Sequence, residues 1–267
     1  MKGKTCAKCG NKHFYTVRRS KFRCKNCGYE FRVWLVKGQR LRKNNWVKVV
    51  NWFLLERSGL WIGKEMKIGK NQVYSALLKV RQVMCLDVPG IFSGVVEVDK
   101  TYLGGQKKNK NKNQLRKEIE TFGKESKRGF GTTKQPVFGI LCRSGKVFAR
   151  LVDDTETKDL IPIITRKVKP GSKICSDTYR SYTGLAAMGY VHRTVEHRIK
   201  EYTKGKNHIN GLEGFWGYLK RKLAAKGGVR RRYLNLFLGE YVWRYNYRKL
   251  TLNEQRKRLL GLLKVSG

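Results

Sequence analysis

Three acids, Asp99, Asp177 and Glu213, and four cysteines, Cys6, Cys9, Cys24 and Cys27, are the residues whose types and spacing carry chemistry in this sequence. Hydrolysing or exchanging a phosphodiester takes two divalent cations about 3.5 to 4 Å apart, one activating the nucleophile and one stabilising the leaving oxygen. Hard oxygen ligands bind them. Mg2+ keeps several of its waters, so three carboxylates shared between two Mg2+ or Mn2+ ions are a sensible count. Asp99 stands in the apolar run Val95-Val96-Glu97-Val98-Asp99, where a carboxylate needs compensation that metal binding supplies. Glu97 is its rival, two residues away on the same strand face. Asp177 closes the strand-like Lys173-Ile174-Cys175-Ser176-Asp177, at a carboxyl end of the kind where α/β sites lie. Glu213 lies on a long amphipathic stretch, with Asn210 one helical turn before it and Lys220 two turns after it, followed by Arg221. Asn210, Glu213 and Lys220 thus form a stripe suited to DNA phosphates.

The cysteines fall in two knuckles, Cys6-Ala7-Lys8-Cys9-Gly10 and Cys24-Lys25-Asn26-Cys27-Gly28, each followed by a glycine that permits the tight backbone. Paired CxxC motifs at this separation are a structural Zn2+ signature, and four cysteines leave no open position for catalysis. The intervening Phe14-Tyr15-Thr16-Val17 is strand-like, so residues 1–34 read as a zinc ribbon. Cys85, Cys142 and Cys175 are unpaired in sequence and read as small core residues.

The elements that must position these groups follow from periodicity. Trp46, Val49, Val50 and Phe53 recur at helical spacing, Ser58-Gly59 breaks the pattern, and Ile68-Gly69 turns into a second helix from Lys70 to Val83. This gives a helix-turn-helix module over 40–88. Lys70, Asn71, Gln72 and Tyr74 stand near the start of its second helix, residue types that reach phosphates and base edges from a major groove. Beyond Asp87-Val88-Pro89-Gly90, strands are expected from Gly94 to Leu103, Val137 to Arg143 and Lys146 to Val152, with a basic loop over 106–134. A helix from Thr157 to Val168, the Asp177 strand, a short helix from Tyr179 to Met188, a strand from Tyr190 to Val195 and a long helix from Gly205 to Ala225 complete the series. That order is the one an RNase H-like fold requires, with Asp99, Asp177 and Glu213 at its active-site positions. An aromatic helix, Leu234 to Tyr247, and a basic tail close the chain.

Charge names the partner. The 60 Lys and Arg residues against 19 Asp and Glu give a net +41, a self-repulsion that calls for a polyanion such as duplex DNA. No apolar run is long enough to span a membrane and no signal core follows Met1, so an intracellular location is expected.

The residues also resemble a known family, the zinc-ribbon insertion-sequence transposases of bacteria related to the eukaryotic Merlin elements. The likeness runs through Val96-Glu97-Val98-Asp99-Lys100-Thr101-Tyr102-Leu103-Gly104-Gly105, Pro136-Val137-Phe138-Gly139, Ser176-Asp177 and His208-Ile209-Asn210-Gly211-Leu212-Glu213-Gly214-Phe215-Trp216. It continues through Leu219-Lys220-Arg221, Trp243-Arg244-Tyr245-Asn246-Tyr247-Arg248 and the amino-terminal ribbon. It implies a DDE/DDNK-type site with Asp99 and Asp177 as the aspartates, Glu213 as the third acid and Lys220 as the DNA-contacting base. Some relatives use Asn in the third position, which keeps Asn210 as a helper. Lys100 departs from the family, which commonly has an acid there.

The expectation is therefore an α/β catalytic domain of RNase H-like fold, a mixed sheet with helices, over 91–267, including a carboxyl-terminal helical tail. It follows the zinc ribbon and the helix-turn-helix. The expected activity is DNA transposition, with Mg2+- or Mn2+-dependent cleavage at terminal inverted repeats and strand transfer into target DNA. A homodimer or higher oligomer on transposon ends and target, in a bacterial cytoplasm at the nucleoid, is expected with it. The alternatives are a domesticated regulator that binds DNA without cleaving it, and a plain nuclease on the same fold. An intact acid trio argues against the first, and the amino-terminal recognition modules against the second.

Overall fold

A computed structural model describes residues 5–6, 8–18, 21–32, 35–36, 39, 41–105, 110–123, 132–177, 182, 184–195 and 209–265. Two compact units emerge. Met1–Val83 with Thr251–Gly267 form one, and Met84–Leu250 the other.

In the first unit, β1 (Phe14–Arg18), β2 (Lys21–Cys24) and β3 (Glu30–Arg32) pair antiparallel in chain order. Phe14 meets Phe22 and Phe31 edge-on at 5.2 and 5.7 Å, and the rings pack with Cys6, Cys24 and Cys27 into a small core. So few apolar residues make a core that calls for a metal as a second source of stability. The helices are α1 (Lys43–Leu54), α2 (Gly59–Met66) and α3 (Lys70–Leu86), the last crossing the division between units. Trp46, Val49, Val50 and Phe53 are the buried stripe of α1, as their spacing predicts. Ser58 caps α2 by accepting the Trp61 amide at 3.2 Å, and Lys67 ends it in the left-handed region at φ 50°.

The tail corrects one expectation. Residues 251–267 do not complete the domain proposed for 91–267. They contain α8 (Leu252–Val265), which packs on α1 through its buried Leu259 and Leu263 stripe, with Arg256 reaching Asn51 at 3.4 Å. A tail read only for its charge hides that apolar stripe.

The second unit is a five-stranded mixed sheet in the order β6-β5-β4-β7-β8, from β4 (Val95–Leu103), β5 (Gln135–Cys142), β6 (Lys146–Leu151), β7 (Lys173–Asp177) and β8 (Val191–Val195). β4, β5 and β6 form an antiparallel meander; β7 and β8 run parallel to β4. Both faces are covered. Val96, Val98, Phe138 and Ile140 meet Leu160, Ile161 and Ile164 of α5 (Thr157–Lys167) on one side. Val137, Leu141 and Val147 meet α6 (Asn210–Ala224) and α7 (Leu234–Asn246) on the other. The expected mixed sheet with helices is therefore present.

Within the expected basic loop, Lys112–Phe122 form α4. Residues 106–109 and 124–131 lie outside the described residues, as do 179–181 and 183 of the expected Tyr179 to Met188 helix, of which Ala186–Met188 form a 3-10 turn. The long helix starts at Asn210, and its expected first residues 205–208 are likewise not described. No helix among the described residues is long and apolar enough to cross a membrane.

One buried carboxylate fixes α6 on the sheet. Glu97, 1% exposed, faces the start of α6 and accepts the Leu212 amide at 2.9 Å, while Arg143 lies 3.6 Å from its other oxygen. The helix start needs this partner, because Ile209 at the N-cap offers no side-chain cap. Gly211 makes the approach feasible, since a Cβ there would lie 2.9 Å from the Glu97 carboxylate. Glu97→Ala should destabilise this unit by about 2 to 3 kcal/mol, by removing the buried carboxylate that the Leu212 amide and Arg143 face. Urea denaturation measures it; a loss near zero would remove Glu97 from this role.

Candidate functional site

Strand alternation sends Glu97 and Asp99 to the same face of β4, and the helix above separates their roles. Glu97 is spent on the amino terminus of α6. Asp99 lies further along, where Trp216 of α6 donates its indole N–H to Oδ2 at 3.0 Å. The two acids that share a strand face thus meet different turns of α6.

The Trp216 ring fits because of Gly139, the residue paired with Asp99 across the β4–β5 ladder. A Cβ at Gly139 would sit 2.5 Å from the indole, so the bare backbone is the space the ring occupies. Neither contact was anticipated from sequence. A glycine inside the apolar run Gln135-Pro136-Val137-Phe138-Gly139-Ile140-Leu141-Cys142 was the available signal of a close approach.

β7 brings in the second aspartate. It runs beside β4 with Val95 opposite Lys173, Val96 opposite Ile174 and Glu97 opposite Cys175, and it ends two residues later at Asp177. Burial pushes the Asp99 carboxyl up to about 6, the Asp177 and Glu213 charges adding to the rise against hydrogen bonds from the Lys100 amide and Trp216. Asp99 therefore feels the charges of both Asp177 and Glu213.

On α6, Leu212, Phe215, Trp216 and Leu219 are buried against the sheet, while Asn210, Glu213, Lys220 and Arg221 are exposed. The expected stripe of Asn210, Glu213 and Lys220 is a solvent-facing one. Desolvation lowers the pKa of the Lys220 ammonium against the attraction of Asp99, and the nearby charge of Lys134 lowers it further. Lys134, from the run before β5, is a basic neighbour that sequence reading did not single out. Lys100 is another: its ammonium lies 3.8 Å from Asp177 Oδ2.

The donors are carboxylate oxygens, the kind hard divalent cations take, and burial makes one of them resist ionisation. The three acids are more widely spread than the ligands of a single compact site. Among the described residues, the group of His, Cys, Asp or Glu whose ligand atoms all close to within 4.8 Å is the cysteine quartet.

That quartet is built as two matching knuckles. Gly10 and Gly28, at φ 72° and 68°, return their amides to the Cys6 and Cys24 carbonyls at 2.9 and 3.1 Å. The Lys8 and Asn26 amides point at the Cys6 and Cys24 sulfurs, each at 3.4 Å. Burial alone would raise the Cys24 thiol, but the amides of Cys27 and Asn26 outweigh it and bring it to about 6. Sulfur separations of 3.6 Å for Cys6 and Cys27, and 3.5 Å for Cys9 and Cys24, are close to the roughly 3.8 Å edge of a tetrahedron with Zn–S bonds of about 2.3 Å. The four sulfurs fit Zn2+.

Lys70, Asn71 and Tyr74 are exposed at the start of α3, with the Lys70 ammonium 6.0 Å from the Tyr74 ring, and Gln72 is half-buried. Cys142 and Cys175 are buried and Cys85 half-buried, consistent with packing roles.

Residues 91–246 match the model of the ISXO2-like transposase domain, more than half of the chain. The chain belongs to the ISXO2-like transposase family. An uncharacterized transposase-like protein of Haemophilus influenzae is 34% identical over 119 residues, covering 45% of this chain and 91% of that relative. Solved structures with some likeness are a pre-cleavage Mos1 transpososome (11% identity, 80% of this chain and 78% of that one, TM-score 0.30) and the Mos1 transposase paired-end complex with left transposon end (10%, 80% and 77%, TM-score 0.22). Both scores are too low to bear on the site of this ISXO2-like protein.

The Asp99 shift gives a pH test. A carboxyl raised from 3.8 to about 6 contributes stability that is full below 3.8 and lost as pH rises through 6. With a chelator present, Asp99→Asn should therefore match the parent protein near pH 4 and exceed it at pH 7 by about 1 to 2 kcal/mol, allowing for solvent screening. Denaturation at the two pH values reads this directly; an equal difference at both would dismiss the shift.

Proposed function

We propose that this ISXO2-like protein is a DNA transposase that cleaves at the terminal inverted repeats of its element and transfers the freed strand into target DNA. Asp99, Asp177 and Glu213 are its metal-binding acids. Two divalent ions, Mg2+ or Mn2+, would supply activation of the attacking oxygen and stabilisation of the leaving one. The observation that carries the reading is the Asp99 position: a part-buried carboxyl on the central strand, next to the strand that ends in Asp177 and under the electrostatic influence of Asp177 and Glu213. An RNase H-like fold agrees with the strand order and the mixed sheet.

The chain's own groups divide the work. Trp216 holds one oxygen of Asp99 and so fixes how the carboxylate is turned. Lys220, on the exposed stripe of α6, faces the phosphate and meets its developing charge, with Asn210 and Arg221 beside it on the same helix surface. The net charge of +41 provides affinity for duplex DNA largely without regard to sequence. Selection of the ends falls to residues 40–88, where α2 and α3 act as a helix-turn-helix and Lys70, Asn71, Gln72 and Tyr74 read the major groove. The ribbon carries one structural Zn2+ on Cys6, Cys9, Cys24 and Cys27.

Asp99→Asn, Asp177→Asn and Glu213→Gln should each abolish Mg2+- or Mn2+-dependent cleavage of a terminal-repeat duplex while leaving its binding largely intact, because each keeps side-chain size and removes the charge that holds the cation. Lys220→Ala should slow cleavage about 100-fold. Normal cleavage by all three acid variants ends the enzymatic reading. For the ribbon, elemental analysis should find one zinc per chain, and Cys24→Ser should lose it together with the fold around β1 to β3. A zinc content well below one per chain rules that assignment out.

A further inference from the structure

Lys100 follows Asp99 on β4, so strand alternation sends its side chain out on the opposite face, the side of Val96 and Val98. An exposed lysine would extend into water. This one does not: its side chain is only 12% exposed, passes over the ring of the fully buried Tyr182 at 5.7 Å, and ends 3.8 Å from Asp177 Oδ2. Asp177 is the last residue of β7, where the strand stops and its carboxylate can be met from beyond the strand end. A cation has therefore been brought from one face of the sheet to the acid cluster on the other.

We infer that Lys100 is the internal counter-ion of the acid site. Its ammonium occupies the Asp177 side in the metal-free protein, and a divalent cation binding there must displace it. The inference rests on Asp177 being a metal ligand, as proposed above. Its physics is that of like charges at one carboxylate. An ammonium is a compact point charge on a flexible stem. A hard divalent ion needs the same oxygen at about 2.0 to 2.1 Å and keeps a shell of waters around itself, which leaves no room for the ammonium at its present distance. The lysine thus sets how much divalent metal the DNA-free protein requires. A strand phosphate entering the site supplies the anion to which the displaced ammonium can turn.

The test is Mn2+ binding to the full-length, zinc-loaded protein without DNA, followed by the electron paramagnetic resonance of free Mn2+. Lys100→Met should bind Mn2+ at least about tenfold more tightly than the parent. Lys100→Arg, which keeps the charge, should stay near the parent, and adding Asp177→Asn to Lys100→Met should remove the gain. Should Lys100→Met not melt cooperatively, Lys100→Gln replaces it with the same expectation. Binding by the neutral variant that is no tighter than the parent's, while Asp177→Asn still abolishes it, overturns the role of Lys100 and leaves the acid site standing. Mn2+ binding indifferent to Asp99, Asp177 and Glu213 alike overturns both.

Discussion

The site depends on the contact between a buried glutamate and the start of a helix. Once the Glu97 carboxylate accepts the Leu212 amide, α6 has a fixed origin on β4, and helical pitch decides what lies over each later strand residue. Trp216, one turn on, then reaches Asp99, and Glu213 and Lys220 stand on the side of the helix turned from the sheet. Two glycines make the packing feasible, Gly211 under the glutamate and Gly139 under the indole. Each of these is small in itself. Together they turn a sheet with helices into a place where three acids and two lysines act on one another.

Much of that was legible in the sequence. The alternation of β4, the terminal aspartate of β7 and the apolar spacing of α6 locate the acids on their elements, because each pattern has one natural period and one face to bury. The different partners of Glu97 and Asp99 were not legible, since both share a face and what separates them is the landing point of a helix more than a hundred residues later. Lys100 misleads for a related reason. Alternation assigns it to the other face, yet its ammonium lies 3.8 Å from Asp177 Oδ2. The cysteine knuckles stand at the other extreme, where spacing and following glycine state the local geometry almost completely.

The acid cluster also shows how the protein uses compensation. Asp99 is driven toward its protonated form by burial and by neighbouring carboxylates, a cost that cations relieve. Lysines lie at two margins of the cluster, Lys100 at Asp177 and Lys220 within reach of Asp99. They partly balance the acids before any metal or DNA is present. A strongly basic chain thus places a local group of acids at one point, with lysines at its margins.

The placement of α8 reaches into the order of synthesis. A ribosome delivers residues 84–250 and their sheet before it delivers 251–267, whereas the unit built on α1 waits for α8 to cover Leu259 and Leu263 against it. The sheet can close while its chain is still being made. The helical unit becomes whole only once α8 has followed, so a nascent chain would acquire its acid cluster before α1 acquires its cover.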